Sequence, residues 1–380
     1  MQSGGSILKR MATHDRKNAA LIYADLQRST IGTDSYISRE LAGKSVLRRT
    51  VERLEAVEAL DAIIIFCPMD QVNAVTLLLQ NTTADVVGLR EPVPVNPYIK
   101  RRKWAMSSWR GGIHEATVYD EFSATQEMVL HLRRNDIYTA LAVPAEAVLI
   151  DGQLLKAMLD HHHKYVEDVR FTFSQAAPGL MCGAFRLDLL HELTMAKGHI
   201  GDLIAYRPDA PQPDFIMQES CFRVDAPLYL TPFRFLADNQ RTYEILENLL
   251  AKANGQPISA GDVVDAVAPR LLSPGRLPAE LEIEITTEPS LRIRGYPHGT
   301  VQRGKMTVDQ FQHIVAGCLG YDDICLTIGG FGEPLTHPQL PEIIAAAKAA
   351  GIYVINIETD GRRLDDKMAD MLLNSDVDII

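Results

Sequence analysis

A glycine-rich stretch near the C-terminus has the residue types of a ligand-binding turn. It reads GGFGEPLTHP over residues 329–338 and directly follows an apolar run at 324–328. Glycines at the carboxyl end of a strand let the backbone approach a ligand closely, and α/β folds bind ligands at that end of their strands. A tight strand-to-helix turn would also explain the glycines. The residues here that could contact a ligand are Gly330, Gly332, Glu333 and Pro334.

Two neighbouring apolar runs also end in turns. The run LEIEITT at residues 281–287 leads into a loop that ends in Pro-His-Gly at 297–299, and the run at 353–357 is followed by Glu-Thr-Asp-Gly at 358–361. In order and spacing, the three strand ends resemble the radical-SAM superfamily over residues 281–380. The resemblance implies a partial (β/α) barrel, a [4Fe–4S] cluster and S-adenosylmethionine. The implied contacts of that cofactor are Gly330, Gly332, Glu333, Pro334 and Thr359.

The positions that the resemblance assigns to the iron–sulfur cluster hold no cysteine. In that family three cysteines spaced C-x3-C-x2-C follow the first strand, and here those positions are Pro289, Ile293 and Tyr296. None of the three can supply the thiolate that such a cluster needs, so they are expected to pack the loop. The chain is therefore predicted to be a radical-SAM protein with a degenerate cluster loop, either catalytically silent or accessory.

The N-terminal half carries a second motif. LAGKSVL at residues 41–47 precedes RRTVERLEAVEALDAIIIFCP, so that Lys44 stands just before a helix N-terminus, which favours anions. These residues resemble the sugar- and cytidylyl-type nucleotidyltransferases, where a G-G-K-P-L turn precedes a similar helix. The resemblance implies a nucleotide whose phosphates face Lys44. A solvent-exposed lysine in a turn is the alternative.

Other candidate residues for nucleotide binding are dispersed along the chain. The family's glycine-rich phosphate loop would fall at residues 25–34, which hold one glycine and Arg28 as the basic residue. Glu146 falls where the family has an aspartate that holds a metal, so it is the candidate Mg²⁺ ligand. Trp109 lies beside Arg110, and an aromatic and cationic pair suits a nucleotide or a sugar. Tryptophans that anchor a loop would explain this segment equally well.

The elements that would position these residues alternate between strand and helix. This alternation predicts an α/β fold, a Rossmann-like nucleotidyltransferase-type domain followed by an incomplete (β/α) radical-SAM-type barrel. In the first part, the predicted strands are 18–25, 62–67, 84–89, 139–143 and 147–150, and the predicted helices are 46–57, 72–80 and 152–161. In the later parts, the predicted strands are 281–287, 324–328, 353–357 and 377–380, and the predicted helices are 241–253, 259–267, 307–319, 339–350 and 365–373.

Four segments follow from this pattern. Residues 1–18 are a flexible lead-in, 19–210 the nucleotidyltransferase-like domain, 211–278 a linker with helices, and 279–380 the first half of the barrel. The combination resembles spirochaete-type radical-SAM/SPASM proteins, whose last part is a cysteine-rich SPASM domain. Because the chain stops in an apolar strand, we expect it to be part of a longer protein.

Composition narrows the classes of partner. A formal net charge of −11 over 380 residues argues against nucleic acid or an anionic membrane as the main partner. The five cysteines are scattered, which fits the reducing cytoplasm, and no apolar run is long enough to span a membrane. The alternatives left open are a degenerate radical-SAM protein, a nucleotide-binding or nucleotidyl-transferring domain, and a non-enzymatic scaffold that binds a protein partner.

Overall fold

A computed structural model describes residues 16–94, 118–196, 215–269, 277–288 and 304–380, together with Leu203 and Pro213. The chain divides into two compact units: unit 1 is residues 1–238 and 242–269, and unit 2 is residues 239–241 and 270–380. The division after residue 269 falls inside the segment 211–278 that the sequence predicts as a linker with helices. Trp109 and the three cluster positions, Pro289, Ile293 and Tyr296, lie outside the described residues.

Unit 1 is built on a seven-stranded, mainly parallel sheet with the order β5-β4-β1-β6-β8-β7-β9. Strand β1 runs parallel to both β4 and β6, whereas β8 is antiparallel to β6 and β7. The strands of the sheet are β1 (Lys17–Tyr23), β4 (Ala62–Pro68), β5 (Asp85–Leu89), β6 (Ile137–Ala142), β7 (Phe171–Ser174), β8 (Gly183–Arg186) and β9 (Cys221–Phe222). A separate two-stranded hairpin consists of β2 (Glu40–Leu41) and β3 (Lys44–Ser45).

Helices cover both faces of this sheet. Successive residues of β1 point to opposite faces, so Ala20 and Ile22 belong to one apolar cluster and Ala19 and Leu21 to another. Burial on both faces explains why the strand is apolar throughout. Helices α1 and α4 contribute to the first cluster, and α3 and α5 to the second. The first helices are α1 (Val46–Glu55), α2 (Val72–Leu78), α3 (Gln126–Arg134), α4 (Gly152–Tyr165), α5 (Leu187–Ala196) and α6 (Ala226–Leu230).

Two helices that the sequence assigns to a linker over 211–278 belong to the body of unit 1. They are α7 (Gln240–Ala253) and α8 (Ala260–Val267). Their apolar faces pack with Leu41, Leu149 and Phe235 in a third buried cluster. The prediction of a connector is therefore corrected: an amphipathic helix needs an apolar partner, and here unit 1 supplies it.

The predicted strand at residues 147–150 is also wrong. These residues form consecutive turns, with Ala147 N–H donating to Pro144 and Ile150 N–H donating to Ala147. All four side chains are buried, so their apolar character reflects the core and not a strand. Strands β7, β8 and β9 and helices α3, α5 and α6 were not predicted.

Unit 2 contains a parallel sheet with the order β10-β11-β12. Its strands are β10 (Glu280–Ile283), β11 (Cys325–Ile328) and β12 (Val354–Ile357), and its helices are α9 (Val308–Val315), α10 (Leu340–Ala349) and α11 (Asp366–Leu373). Beyond α11, Ile379 forms a parallel bridge to Asn356, where the sequence predicts a fourth strand. The partial barrel stays a prediction. Over the described part of the chain, no helix combines the length and apolarity needed to cross a bilayer.

Candidate functional site

The strand order of unit 1 places a crevice at the carboxyl ends of β1 and β6. The chain proceeds from β1 to β4 on one side and to β6 on the other, and ligands bind at such switch points in open α/β sheets. Two cavities of about 110 and 40 Å³ lie here, and both are lined by Tyr23, Thr30, Glu121 and Phe122. We call this region the β1–β6 crevice.

Arg28 lies in the loop that follows β1 and lines the larger cavity of the crevice. Asp25 organises the start of this loop, because its carboxylate accepts from the backbone N–H groups of Gln27 (2.9 Å) and Arg28 (3.4 Å). The loop is then closed on itself by a 2.7 Å hydrogen bond between the hydroxyls of Ser29 and Thr33. The Ser29 N–H donates to Thr33 within the loop and is therefore engaged. The Arg28 side chain is exposed, so it is the candidate group for contact with an anion.

A buried ion network adjoins the crevice. The Arg234 guanidinium donates to both oxygens of Glu121 at 3.1 and 3.0 Å, and its Nε donates to Asp238 at 2.9 Å. Burial opposes the charge on Arg234, but Asp238 and Glu121 outweigh it and raise the guanidinium pKa. The network is thus a fixed cation held between two carboxylates.

Glu146 lies next to this network at the end of the segment that follows β6. The Ala237 N–H donates to the Glu146 carbonyl at 3.1 Å, which holds the Asp238 segment against it. The Glu146 side chain is buried, and burial, with the nearby Asp238 and Glu121, raises its pKa to about 8. The carboxyl is therefore mainly protonated at neutral pH.

A resident Mg²⁺ does not fit these residues. Mg²⁺ needs several oxygen ligands in near-octahedral geometry, but the carboxylates beside Glu146, those of Asp238 and Glu121, already accept from Arg234. Among the described residues, no three or more His, Cys, Asp or Glu side chains form a group that could hold a metal ion.

Lys44 lies away from the crevice cavities. It forms a 2.6 Å ion pair with Glu52 of α1, and Glu52 also accepts from Arg48 at 2.9 Å. Lys44 lines a different, open groove of about 910 Å³, bounded by α1, the start of α4 and the end of α7. The structure therefore places Arg28 and Glu146 at one edge of the sheet but separates Lys44 from them.

In unit 2 two of the predicted cofactor residues, Glu333 and Thr359, are hydrogen-bonded to each other. Glu333 is buried, and its carboxylate accepts from the Leu335 N–H (2.9 Å), the Thr359 hydroxyl (2.8 Å) and the Asp360 N–H (2.9 Å). It thereby joins the turn after β11 to the turn after β12. Three of the roughly four acceptor positions of a carboxylate are used inside the protein.

The glycines of the same turn are required by the backbone. Gly330 has a φ of +120°, which disfavours any side chain. A Cβ on Gly332 would lie 1.8 Å from the Thr286 carbonyl oxygen. Glu284 stabilises the turn from below, because its Oε1 accepts from Phe331 N–H (2.8 Å) and Gly332 N–H (3.1 Å).

The groups implied by the radical-SAM resemblance fit unit 2 poorly. A [4Fe–4S] cluster needs thiolates, and the sequence of unit 2 holds two cysteines, Cys318 and Cys325, which are both buried. Cys325 is in β11 and not in the predicted cluster loop. The Glu333 carboxylate already accepts three hydrogen bonds from the protein. Its contact with S-adenosylmethionine stays a prediction.

Three residues of the ion network beside the crevice were missed from the sequence. Glu121, Arg234 and Asp238 come from segments far apart in the chain, and they meet because residues 234–238 return to the edge of the sheet. The spacing of Arg234 and Asp238 by four residues was the available signal, although such pairs are common on protein surfaces.

The chain has limited similarity to known proteins. No family model matches it. A protein of Pyrococcus furiosus, named a tungsten-containing aldehyde ferredoxin oxidoreductase cofactor-modifying protein, is 29% identical over 103 residues. This match covers 26% of the present chain and 29% of that protein, so the chain spans less than a third of the relative's length.

Several solved structures are similar at low sequence identity. A cytidylyltransferase from Leptospira borgpetersenii shares 14% identity with a TM-score of 0.47, and covers 69% of this chain and 99% of its own. Rv0371c from Mycobacterium tuberculosis shares 13% (TM-score 0.40), covering 61% and 98%. A nucleotidyl transferase from Methanothermobacter thermautotroptrophicus shares 12% (TM-score 0.39), covering 63% and 99%. At these values the comparison leaves the activity of this chain open.

Proposed function

We propose that unit 1 binds a nucleotide in the β1–β6 crevice, as a module of the nucleotidyltransferase type. The observation that carries the proposal is the position of Arg28 and two adjoining cavities at the switch point of a parallel sheet. Within the crevice, Tyr23 and Phe122 supply aromatic surface for a base or a sugar, and Arg28 supplies a cation for a phosphate.

The chemistry of the crevice favours binding over metal-dependent transfer. Asp238 and Glu121 already accept from Arg234, so any Mg²⁺ would arrive with the phosphates of the nucleotide. The residues of this chain that act on the ligand are then Arg28, which binds an anion, and the aromatic side chains, which position the rest.

Isothermal titration calorimetry with CTP, UTP and GTP tests this proposal. We expect one nucleotide to bind, and we expect Arg28→Ala to weaken that binding about tenfold, since a charge-assisted hydrogen bond is lost. Lys44→Ala is the matched control: it also removes one cation, but Lys44 pairs with Glu52 and lines another groove. The nucleotide affinity of the Lys44→Ala variant should stay within about twofold of that of the parent protein.

Two results would contradict the proposal. The absence of binding at millimolar nucleotide would remove nucleotide recognition altogether. Equal losses in the Arg28 and Lys44 variants would move the site away from the crevice.

A second candidate function concerns unit 2. The three strand-end turns of unit 2 are the basis for a radical-SAM ancestry, and the missing cysteines support an accessory role without radical chemistry. Anaerobic reconstitution with iron and sulfide tests this: a stable visible absorbance of an iron–sulfur cluster bound by the chain would overturn the accessory role.

A further inference from the structure

The Arg234 guanidinium lies between two buried carboxylates, and the arginine side chain is 17% exposed. It is enclosed by Glu121, which borders both cavities of the crevice, and by Asp238, whose segment is hydrogen-bonded to Glu146. The side chains of Glu121 and Asp238 are 6% and 4% exposed, so the ions are removed from water. Carboxylates buried to this extent stay ionised only with a cation or several hydrogen-bond donors beside them.

We propose that the Arg234 guanidinium is the built-in cation of the β1–β6 crevice. It lies between two carboxylates, in the position where a divalent cation would otherwise bind. Unit 1 therefore binds its ligand without a resident metal. Glu121 and Asp238 are oxygen donors of the kind that Mg²⁺ and Mn²⁺ prefer, but both face the guanidinium. The inference rests on the proposed function only for the location of the ligand.

The geometry favours arginine over a mobile ion. Arg234 bonds to Glu121 through two nitrogens in a fork, an arrangement that the planar guanidinium provides and that a lysine cannot reproduce. Because the same guanidinium also bonds to Asp238, one side chain orients two acidic groups from distant parts of the chain and offsets one of their two negative charges. Glu121, which lines both cavities, is thus held in position before a ligand binds.

Thermal unfolding of the EDTA-treated full chain, with and without millimolar Mn²⁺, tests this inference without any nucleotide. We expect the melting temperature of the parent to be unchanged by Mn²⁺. Arg234→Ala should melt on the order of 10 °C lower, because two buried carboxylates lose their partner. Millimolar Mn²⁺ should then return about 5 °C to the variant by binding between those carboxylates.

Three control variants separate this from surface binding of metal. Arg186 also bonds in a bidentate manner to one carboxylate, Asp188, at 2.7 and 2.6 Å. Arg186→Ala should therefore show no Mn²⁺ response, since it exposes one acidic group and not two. The double variant Arg234→Ala, Asp238→Asn should lose the response, and Arg234→Lys should retain a cation and show none.

The outcomes are decisive in both directions. A parent protein that gains stability from Mn²⁺, with the gain abolished by Asp238→Asn, would overturn the inference while leaving nucleotide binding intact. A folded Arg234→Ala variant without any Mn²⁺ response would overturn it as well. If that variant folds only when refolded with Mn²⁺, the inference is supported, and if Mn²⁺ does not restore folding, it is overturned. Loss of nucleotide binding in the calorimetric test would bear on the proposed function alone.

Discussion

At the scale of single residues, Glu146 shows how position changes the chemistry of a carboxyl group. The sequence places an acid where a metal ligand is expected, and a surface carboxylate there would be ionised at neutral pH. Burial beside Asp238 and Glu121 raises its pKa to about 8 instead. The sequence could indicate the residue type but not the burial, which depends on segments around 121 and 238.

The stability of the protein should therefore depend on the ionisation of Glu146. The folded state keeps a proton that the unfolded chain loses near the ordinary glutamate pKa of 4.5. Unfolding consequently releases a proton between about pH 4.5 and 8, so stability falls as the pH rises through that window, by up to about 1.4 kcal/mol per unit. We expect Glu146→Gln to remove this loss and to be the more stable protein at about pH 8.

Urea unfolding of both proteins at several pH values measures this effect. Titrating groups distant from Glu146 contribute equally to the two curves, so the difference between them reports Glu146 and its coupling to Asp238 and Glu121. Parallel curves across the window would contradict a buried, protonated Glu146.

Arg28 and Lys44 illustrate a second limit at the residue scale. Both were predicted as phosphate-facing cations, from a loop and from a turn before a helix. The structure puts Arg28 in the crevice, whereas Lys44 is paired with Glu52 two turns along α1. Local sequence does not show that Lys44 pairs with Glu52 and lines another groove. That position depends on how the β2–β3 hairpin is oriented relative to the sheet.

At the scale of elements, Asp151 joins two helices of unit 1. Its Oδ1 accepts from Gln153 N–H (2.9 Å) and Leu154 N–H (3.0 Å) at the start of α4. Its Oδ2 accepts from Ala260 N–H (2.8 Å) at the start of α8. The sequence predicts a helix that begins directly after Asp151, but the contact with α8 joins residues 109 positions apart.

Replacement of Asp151 should accordingly cost more than the loss of one cap. We expect Asp151→Ala to lower the free energy of unfolding by about 3 kcal/mol, since a cap is lost and a buried N–H is left unpaired. Thr125→Ala is the matched control, because Thr125 caps α3 alone through Met128 N–H and should cost about 1 kcal/mol. Equal losses in urea unfolding would show that the link to α8 contributes nothing.

The long elements were predictable because their patterns are strong. Helix α1 carries Val46, Leu47, Val51 and Leu54 on one buried stripe, and β4 is apolar throughout. The strands β7, β8 and β9 have four, four and two residues, and so offer too short a pattern for period-two alternation to be recognised. The antiparallel part of the sheet was missed for that reason.

At the scale of the whole molecule, each unit has its own buried core. Three apolar clusters belong to unit 1, and a separate one, centred on Phe311, Leu326 and Ile343, belongs to unit 2. The structure divides after residue 269, whereas the sequence places the start of the barrel at residue 279. It did not predict that α7 and α8 complete the core of unit 1, because an amphipathic helix does not reveal its partner.

Separate cores predict that damage to unit 2 stays within unit 2. At Gly332 a Cβ would meet the Thr286 carbonyl oxygen at 1.8 Å, so Gly332→Ala must displace the backbone that follows β10. We expect a loss of about 3 kcal/mol in the local stability of unit 2. Gly317→Ala is the control, because no atom lies within 4 Å of its Cβ position.

Hydrogen exchange by mass spectrometry locates the effect. In the Gly332 variant, amides of β10, β11 and β12 should exchange faster, because local opening becomes easier. Amides of β1, β4 and β6 should exchange as in the parent, and nucleotide affinity at the β1–β6 crevice should be unchanged. Faster exchange in β1 would mean that the two cores unfold together, and the ligand site of unit 1 would then depend on the turn that Glu333 holds in unit 2.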